Sequence, residues 1–212
     1  MLPTYPAIAG LPLSQYVPTD FVRSRPCTTN EIVRLFALFT LYTILAIASL
    51  PLTAHVSMPL GLIRGTVMSI NLTGAVLPVI ISLWIIAHHR RQFLIYLTGI
   101  ALSSYINAVT TYVNSEGEWC STLTVGTLIA LGTVLCQLPA SFAFVSGILG
   151  VLIGSDIVHN AEFLQFHFPY CIIGGFGALD AILVEGLFAC FLVRGYRHIN
   201  DTKRNYSRLI SV

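Results

Sequence analysis

Apolar residues run along this chain in long blocks separated by short polar stretches, with no strand-length alternation of apolar and polar positions. The first block follows Thr28-Thr29-Asn30-Glu31, where Thr28 and Glu31 stand at capping-box spacing. It predicts a helix over about Ile32–Leu50, stopped at Pro51. The next blocks predict helices over about Leu62–Ala87, carrying Arg64, Asn71 and Pro78, and over about Phe93–Val113. The apolar stretch from Leu123 to Val158 would be about 54 Å long as one helix, well beyond the ~30 Å of bilayer hydrocarbon. Pro139 divides it, so the pattern predicts a hairpin of two helices, about Thr122–Leu138 and Ala140–Val158. A sixth helix is expected from about Tyr170 to Val193.

Composition turns these helices into membrane spans. Hydrophobic residues make up 55% of the 212 positions and charged residues only 9%, with a mean hydropathy of +0.80. A soluble domain carries about 25% charged residues, and this chain has too few to cover a soluble surface. The expected fold class is therefore all-α, a polytopic protein of the cell membrane with six transmembrane helices. Residues 1–31, interrupted by Pro3, Pro6, Pro12, Pro18 and Pro26, form an irregular segment; residues 32–193 form the helical domain; residues 194–212 form a basic tail. A cleaved signal peptide is not expected, because no basic region leads directly into an apolar core.

Basic residues near short loops mark the cytoplasmic side. Arg23 and Arg25, the His88-His89-Arg90-Arg91 loop, and the tail with Arg194, Arg197, Lys203, Arg204 and Arg208 share one side only if both termini are cytoplasmic. The Glu116/Glu118 loop and His159–Pro169 then lie on the other. A net charge of +2 gives no reason to expect a nucleic-acid partner. The bilayer is the expected partner, with a second membrane protein or a second copy as the protein partner. No cofactor is expected. The five cysteines contain no CxxC pair, so no metal centre of that kind is predicted. Cys136 and Cys190 fall in apolar runs; Cys120 and Cys171 are on the same expected side, and pairing between them is conceivable.

Chemistry concentrates between Ala140 and Val193, where Asp156 closes one apolar run and Asp180 sits inside the next. An ionisable residue at membrane depth costs at least ~2.5–3.5 kcal/mol near a helix centre and marks a functional position. Three stretches, Ser69-Ile70-Asn71-Leu72-Thr73-Gly74-Ala75-Val76-Leu77-Pro78, Ser146–Asp156 and Gly174-Gly175-Phe176-Gly177-Ala178-Leu179-Asp180, resemble those of an uncharacterised family of bacterial and archaeal membrane proteins, the domain of unknown function sixteen-fourteen. The likeness covers about residues 65–193; Ser155, Phe176, Ala178 and Leu179 depart from the family's pattern, and both acids keep to it. More remotely, the order of the two acids resembles the Gly-x-Gly-Asp intramembrane aspartyl proteases. That resemblance implies a catalytic dyad of Asp156 and Asp180 sharing one proton, since like charges at close range oppose double ionisation. Ser155 and Leu179 stand where those proteases have Tyr and Gly, and their Pro-Ala-Leu is missing.

Other readings compete with the dyad. Ser146, Gly150 and Gly154 form a small-residue stripe of the kind that lets membrane helices approach closely, and Gly150 and Gly154 with Gly174 and Gly177 are expected to pack the fifth helix against the sixth. Asp156 then borders the loop, and Asp180 bonds Asn71, Asn107 or a backbone group. This leaves a structural or interaction subunit of a membrane assembly, the leading reading of the sequence. In a transport reading, Asp180, Glu185 and Asn71 line a polar path for protons or cations, with the glycine-broken segment exposing backbone groups. His159, Glu162 and His167 beside Asp156 read more simply as loop residues than as metal ligands. Equal depth for Asp156 and Asp180 requires the sixth helix to start unwound.

Overall fold

The computed structural model describes residues 56–210. The first predicted helix and the irregular segment before it lie outside the described residues. The fold is mostly helical, with short strands at one end of the bundle.

The second predicted helix begins later than the apolar pattern suggests. Residues Ser57–Ile63 (β1) and Thr66–Asn71 (β2) form an antiparallel hairpin instead. Arg64 (φ 50°) and Gly65 (φ 88°) make its two-residue turn. Positive φ at both positions is the type I′ geometry whose twist suits paired strands. β2 also pairs in parallel with Tyr170–Ile173 (β5), Val67 opposite Tyr170 and Ile70 opposite Ile173.

After β2 the chain passes through a π-helical turn, Leu72–Val76, into α1, Leu77–His88. Pro78 sits in the first turn of α1, where a missing N–H costs no helical hydrogen bond. A short 3₁₀ turn, Arg90–Gln92, leads to α2, Phe93–Thr110. The acidic loop is a small hairpin of β3 (Tyr112–Asn114) and β4 (Gly117–Trp119). α3 (Thr122–Leu135) and α4 (Ala140–Val151) are separated at Cys136–Pro139, where Gln137 has φ 55° and Pro139 precedes the first residue of α4. The hairpin expected at Pro139 is thus present. α4 widens into a π-helical turn, Leu152–Ile157, and continues to a short helix α5, Asn160–Gln165.

The sixth helix departs furthest from its predicted start. Residues 170–180 are β5, a glycine turn and a 3₁₀ turn (Gly177–Leu179), and α6 runs Ala181–Ile210, carrying the basic tail as helix.

α4 is the central element, with every residue from Val145 to Val151 buried. Gly147 of α4 meets Gly186 of α6 so closely that a Cβ on either would overlap the other helix. Gly150 and Gly154 lie instead against α2, at Ser103, Ser104 and Asn107. These contacts make α4 antiparallel to α6 and parallel to α2. One end of the bundle therefore holds His88–Arg91, the Gln137 turn and Arg197, whose guanidinium donates to the Leu138 carbonyl. The other end holds both small sheets and α5.

Among the described residues two helices, Arg90–Thr110 and Ala140–Gln165, are long and apolar enough to cross a membrane; Leu72–His88 and Thr122–Leu135 are shorter apolar helices. Large apolar side chains such as Leu83, Trp84, Leu94, Leu102, Leu131 and Leu135 are exposed along them. Exposed apolar surface of this kind marks contact with a membrane or with another protein.

Candidate functional site

The site is built where two strand-to-helix breaks cross. In the first, Asn71 ends β2 and caps the turn after it: its side-chain oxygen accepts from the backbone N–H of Thr73 (2.9 Å) and Gly74 (2.9 Å) and from the Thr73 hydroxyl (2.8 Å). In the second, Asp180 caps α6. Its carboxylate accepts from the Ile182 N–H at 3.1 Å and from the Phe176 N–H at 3.3 Å. Short polar side chains at this position satisfy amides that the first helical turn leaves unpaired. The two breaks touch at glycines. A Cβ on Gly74 would overlap the carbonyls of Gly174 and Gly177, and those two residues have φ of 71° and 59°. Both conditions call for glycine.

Asp156 joins the second break from α4. Within the wide turn Leu152–Ile157, where the Val158 N–H reaches back to the Ile153 carbonyl (3.1 Å), Asp156 accepts from the backbone N–H of Gly174. Asp156 and Asp180 therefore hold N–H groups of one and the same turn, and each lies within electrostatic range of the other. Of the partners expected for Asp180 from sequence, the structure assigns it backbone groups. Asn71 serves the other break, and Asn107 belongs to a different acid.

That acid is Glu185, one turn further into α6 and fully buried. Asn107 of α2, also fully buried, donates to Glu185 Oε1 at 3.0 Å and to the Ser103 carbonyl at 3.1 Å. Glu185 Oε2, Asn107 Oδ1 and Ser146 Oγ have no hydrogen-bond partner among the described residues. Glu185 follows Asp180 by five residues, well round a helix, and the apolar pattern does not connect it to α2. The signal was an Asn in one apolar helix and a Glu in another, which pair only if the helices adjoin.

Toward the sheet end, the Ser155 hydroxyl donates to Glu118 of β4 and accepts from Thr111 (3.2 Å). Burial holds the Glu118 carboxyl above the usual carboxylate range, and the Ser155 bond and nearby His159 oppose that shift in part. Glu118 is within electrostatic range of Asp156 and Asp180, and the Cys120 thiol is within range of Glu118, Asp180 and Glu185. The acids thus form one electrostatically linked group from the hairpin inward. Among the described residues no lysine or arginine pairs with any of them.

His159 is buried, with Nε2 on the Ala108 carbonyl (3.0 Å) and Nδ1 facing Glu162 (3.2 Å). No group of three or more His, Cys, Asp or Glu among the described residues converges to hold a metal ion. Cys120, Cys136, Cys171 and Cys190 are free thiols, so Cys120 and Cys171 do not pair.

Comparison with known proteins gives a family match over residues 23–192, to the family described as protein of unknown function (DUF1614). No curated protein and no solved structure matches the chain significantly.

Proposed function

Since this chain belongs to the DUF1614 family of proteins of unknown function, we propose that it is a multi-pass cell-membrane protein that moves protons or monovalent cations. It has six transmembrane helices and cytoplasmic termini. The carrying observation is Glu185: it is fully buried, with one oxygen on Asn107 and the other without a partner among the described residues. An ionised carboxylate so placed is costly unless a cation or a proton completes it. Acids lead to it from the sheet end, uncompensated by any basic pair among the described residues. The absence of a three-ligand cluster among those residues favours a proton or monovalent ion over a divalent metal. Discontinuous spans that open backbone groups toward an ion path are a recurring transporter device.

Asp156 and Asp180 act here as clamps. A catalytic dyad needs carboxylates free to handle water and a scissile carbonyl; these two are engaged with amides of the Gly174–Ile182 turn.

The test is proton or sodium uptake by proteoliposomes under an inside-negative potential, with Glu185→Gln as counterpart. Uptake by the wild type that E185Q lacks is the expected result. Equal uptake by the two overturns the reading and leaves a structural or interaction subunit.

A further inference from the structure

A cavity of about 310 Å³ lies between α2, α3 and α4. Its wall is apolar, with Leu102, Leu128 and Phe142 among the lining side chains. It opens between α2 and α3, where Leu102 and Leu128 are exposed, on the face that the transmembrane reading gives to lipid. A volume in this range suits one small ligand.

Two features of the cavity bear on what it holds. Gly132, itself exposed, lines it, and a Cβ at Gly132 would meet nothing within 4 Å. A glycine inside a helix costs about 1 kcal/mol relative to alanine, and no close approach or positive φ calls for it here. By contrast Gly99, on the opposite wall, is required by contact with Phe142 and Ser146. The second feature is polar. Ser146, 1% exposed, lines the cavity, and its hydroxyl has no partner among the described residues. Ser103 lines it too, and through Ser103 the cavity abuts Asn107 and hence Glu185.

We propose that this cavity binds a single-chain amphiphile drawn from the membrane. Its apolar chain lies against Leu102, Leu128 and Phe142, with the space above Gly132 as the slot. One uncharged hydrogen-bonding group, a hydroxyl or carbonyl, meets Ser146 at the inner end. From the Ser103 wall two hydrogen bonds, Asn107 to the Ser103 carbonyl and Asn107 to Glu185, lead to the buried acid, so occupancy of the cavity is coupled to the protonation of Glu185. The coupling rests on the transport reading above; the binding does not.

The experiment uses the full chain in lipid vesicles and a long-chain alcohol carrying a photoreactive diazirine, with the hydrocarbon lacking the hydroxyl as a matched probe. Expected labelling falls on residues 95–106 and 128–146, with the alcohol preferred. Gly132→Phe fills the slot without touching the backbone and should bring labelling there to background while thermal stability is kept. Ser146→Ala should keep labelling but erase the preference for the alcohol. E185Q should label as the wild type does, even if uptake of ions is absent from every variant. No labelling of the wild-type cavity, or undiminished labelling of folded G132F, overturns the proposal.

Discussion

Asn107 and Glu185 meet across 3.0 Å between α2 and α6, and neither exposes surface. The bond fixes one carboxylate oxygen and leaves the other to be completed from elsewhere. This pair, more than the two aspartates, is where the fold pays for buried polarity without satisfying it.

The pair predicts opposite outcomes for its two members. Glu185→Gln retains shape and can still accept from Asn107, so stability in detergent should be unchanged or higher. Asn107→Leu removes the donor and leaves the buried acid alone, which should destabilise by about 1–3 kcal/mol. Thermal unfolding of the two variants side by side checks this; an Asn107→Leu protein as stable as wild type would show that Glu185 finds another donor.

The glycine crossing predicts a contrast within one residue type. Gly74→Ala forces a Cβ into the carbonyls of Gly174 and Gly177, and should cost about 1–3 kcal/mol as overpacking does. Gly132→Ala meets open space and should gain about 0.5–1 kcal/mol from helix propensity. Equal stability of the two variants would mean that the β2–α1 and β5–α6 breaks do not touch as described.

Much of this arrangement was legible in the sequence, for identifiable reasons. Length and apolarity marked the blocks, and Pro139, which cannot continue a helix, marked the turn between α3 and α4. The apolar pattern predicts a sixth helix from Tyr170 with Asp180 inside it, whereas α6 begins at Ala181, because the glycines of 174–177 leave a helix weakly specified. Leu62–Asn71 is apolar enough to read as helix, which hides the β1–β2 hairpin from the pattern. Its only local signal is Arg64-Gly65, and arginine is not a usual residue for positive φ. The α4 stripe was legible as close packing, but not its direction. Gly150 and Gly154 face α2, and Gly147, one position from the stripe's Ser146, faces Gly186. One residue is a 100° rotation on a helix, and sequence spacing alone does not say which neighbour lies on which side.

Asp180 separates capping from charge. Asparagine caps a helix about as well as aspartate, whereas alanine costs roughly 0.5–2 kcal/mol. Asp180→Asn should therefore unfold near the wild-type temperature and Asp180→Ala clearly below it. If both variants lose equal stability, the negative charge at the N-terminus of α6, favoured there by the helix dipole, matters more than the hydrogen bonds to Phe176 and Ile182.

Glu118 gives the fold a pH dependence of predictable sign. Its carboxyl is held above the usual range by burial, against the opposing effects of Ser155 and His159. A carboxyl with a folded-state pKa above its unfolded value takes up a proton on folding. Its contribution to stability is therefore fully present below the unfolded pKa and is lost as pH rises through the folded pKa. The protein should be most resistant to thermal unfolding on the acid side of that window, and less so toward neutral pH. The link runs through the β3–β4 hairpin, since Glu118 is the residue by which β4 holds Ser155 at the end of α4. Glu118→Gln keeps a hydrogen-bonding group of the same shape and cannot ionise. It should flatten this part of the profile and raise stability at neutral pH relative to the wild type. Unfolding temperatures of both proteins followed from acid to neutral pH check the claim, and a wild-type profile that rises with pH while E118Q stays flat would reverse the sign assigned to this residue.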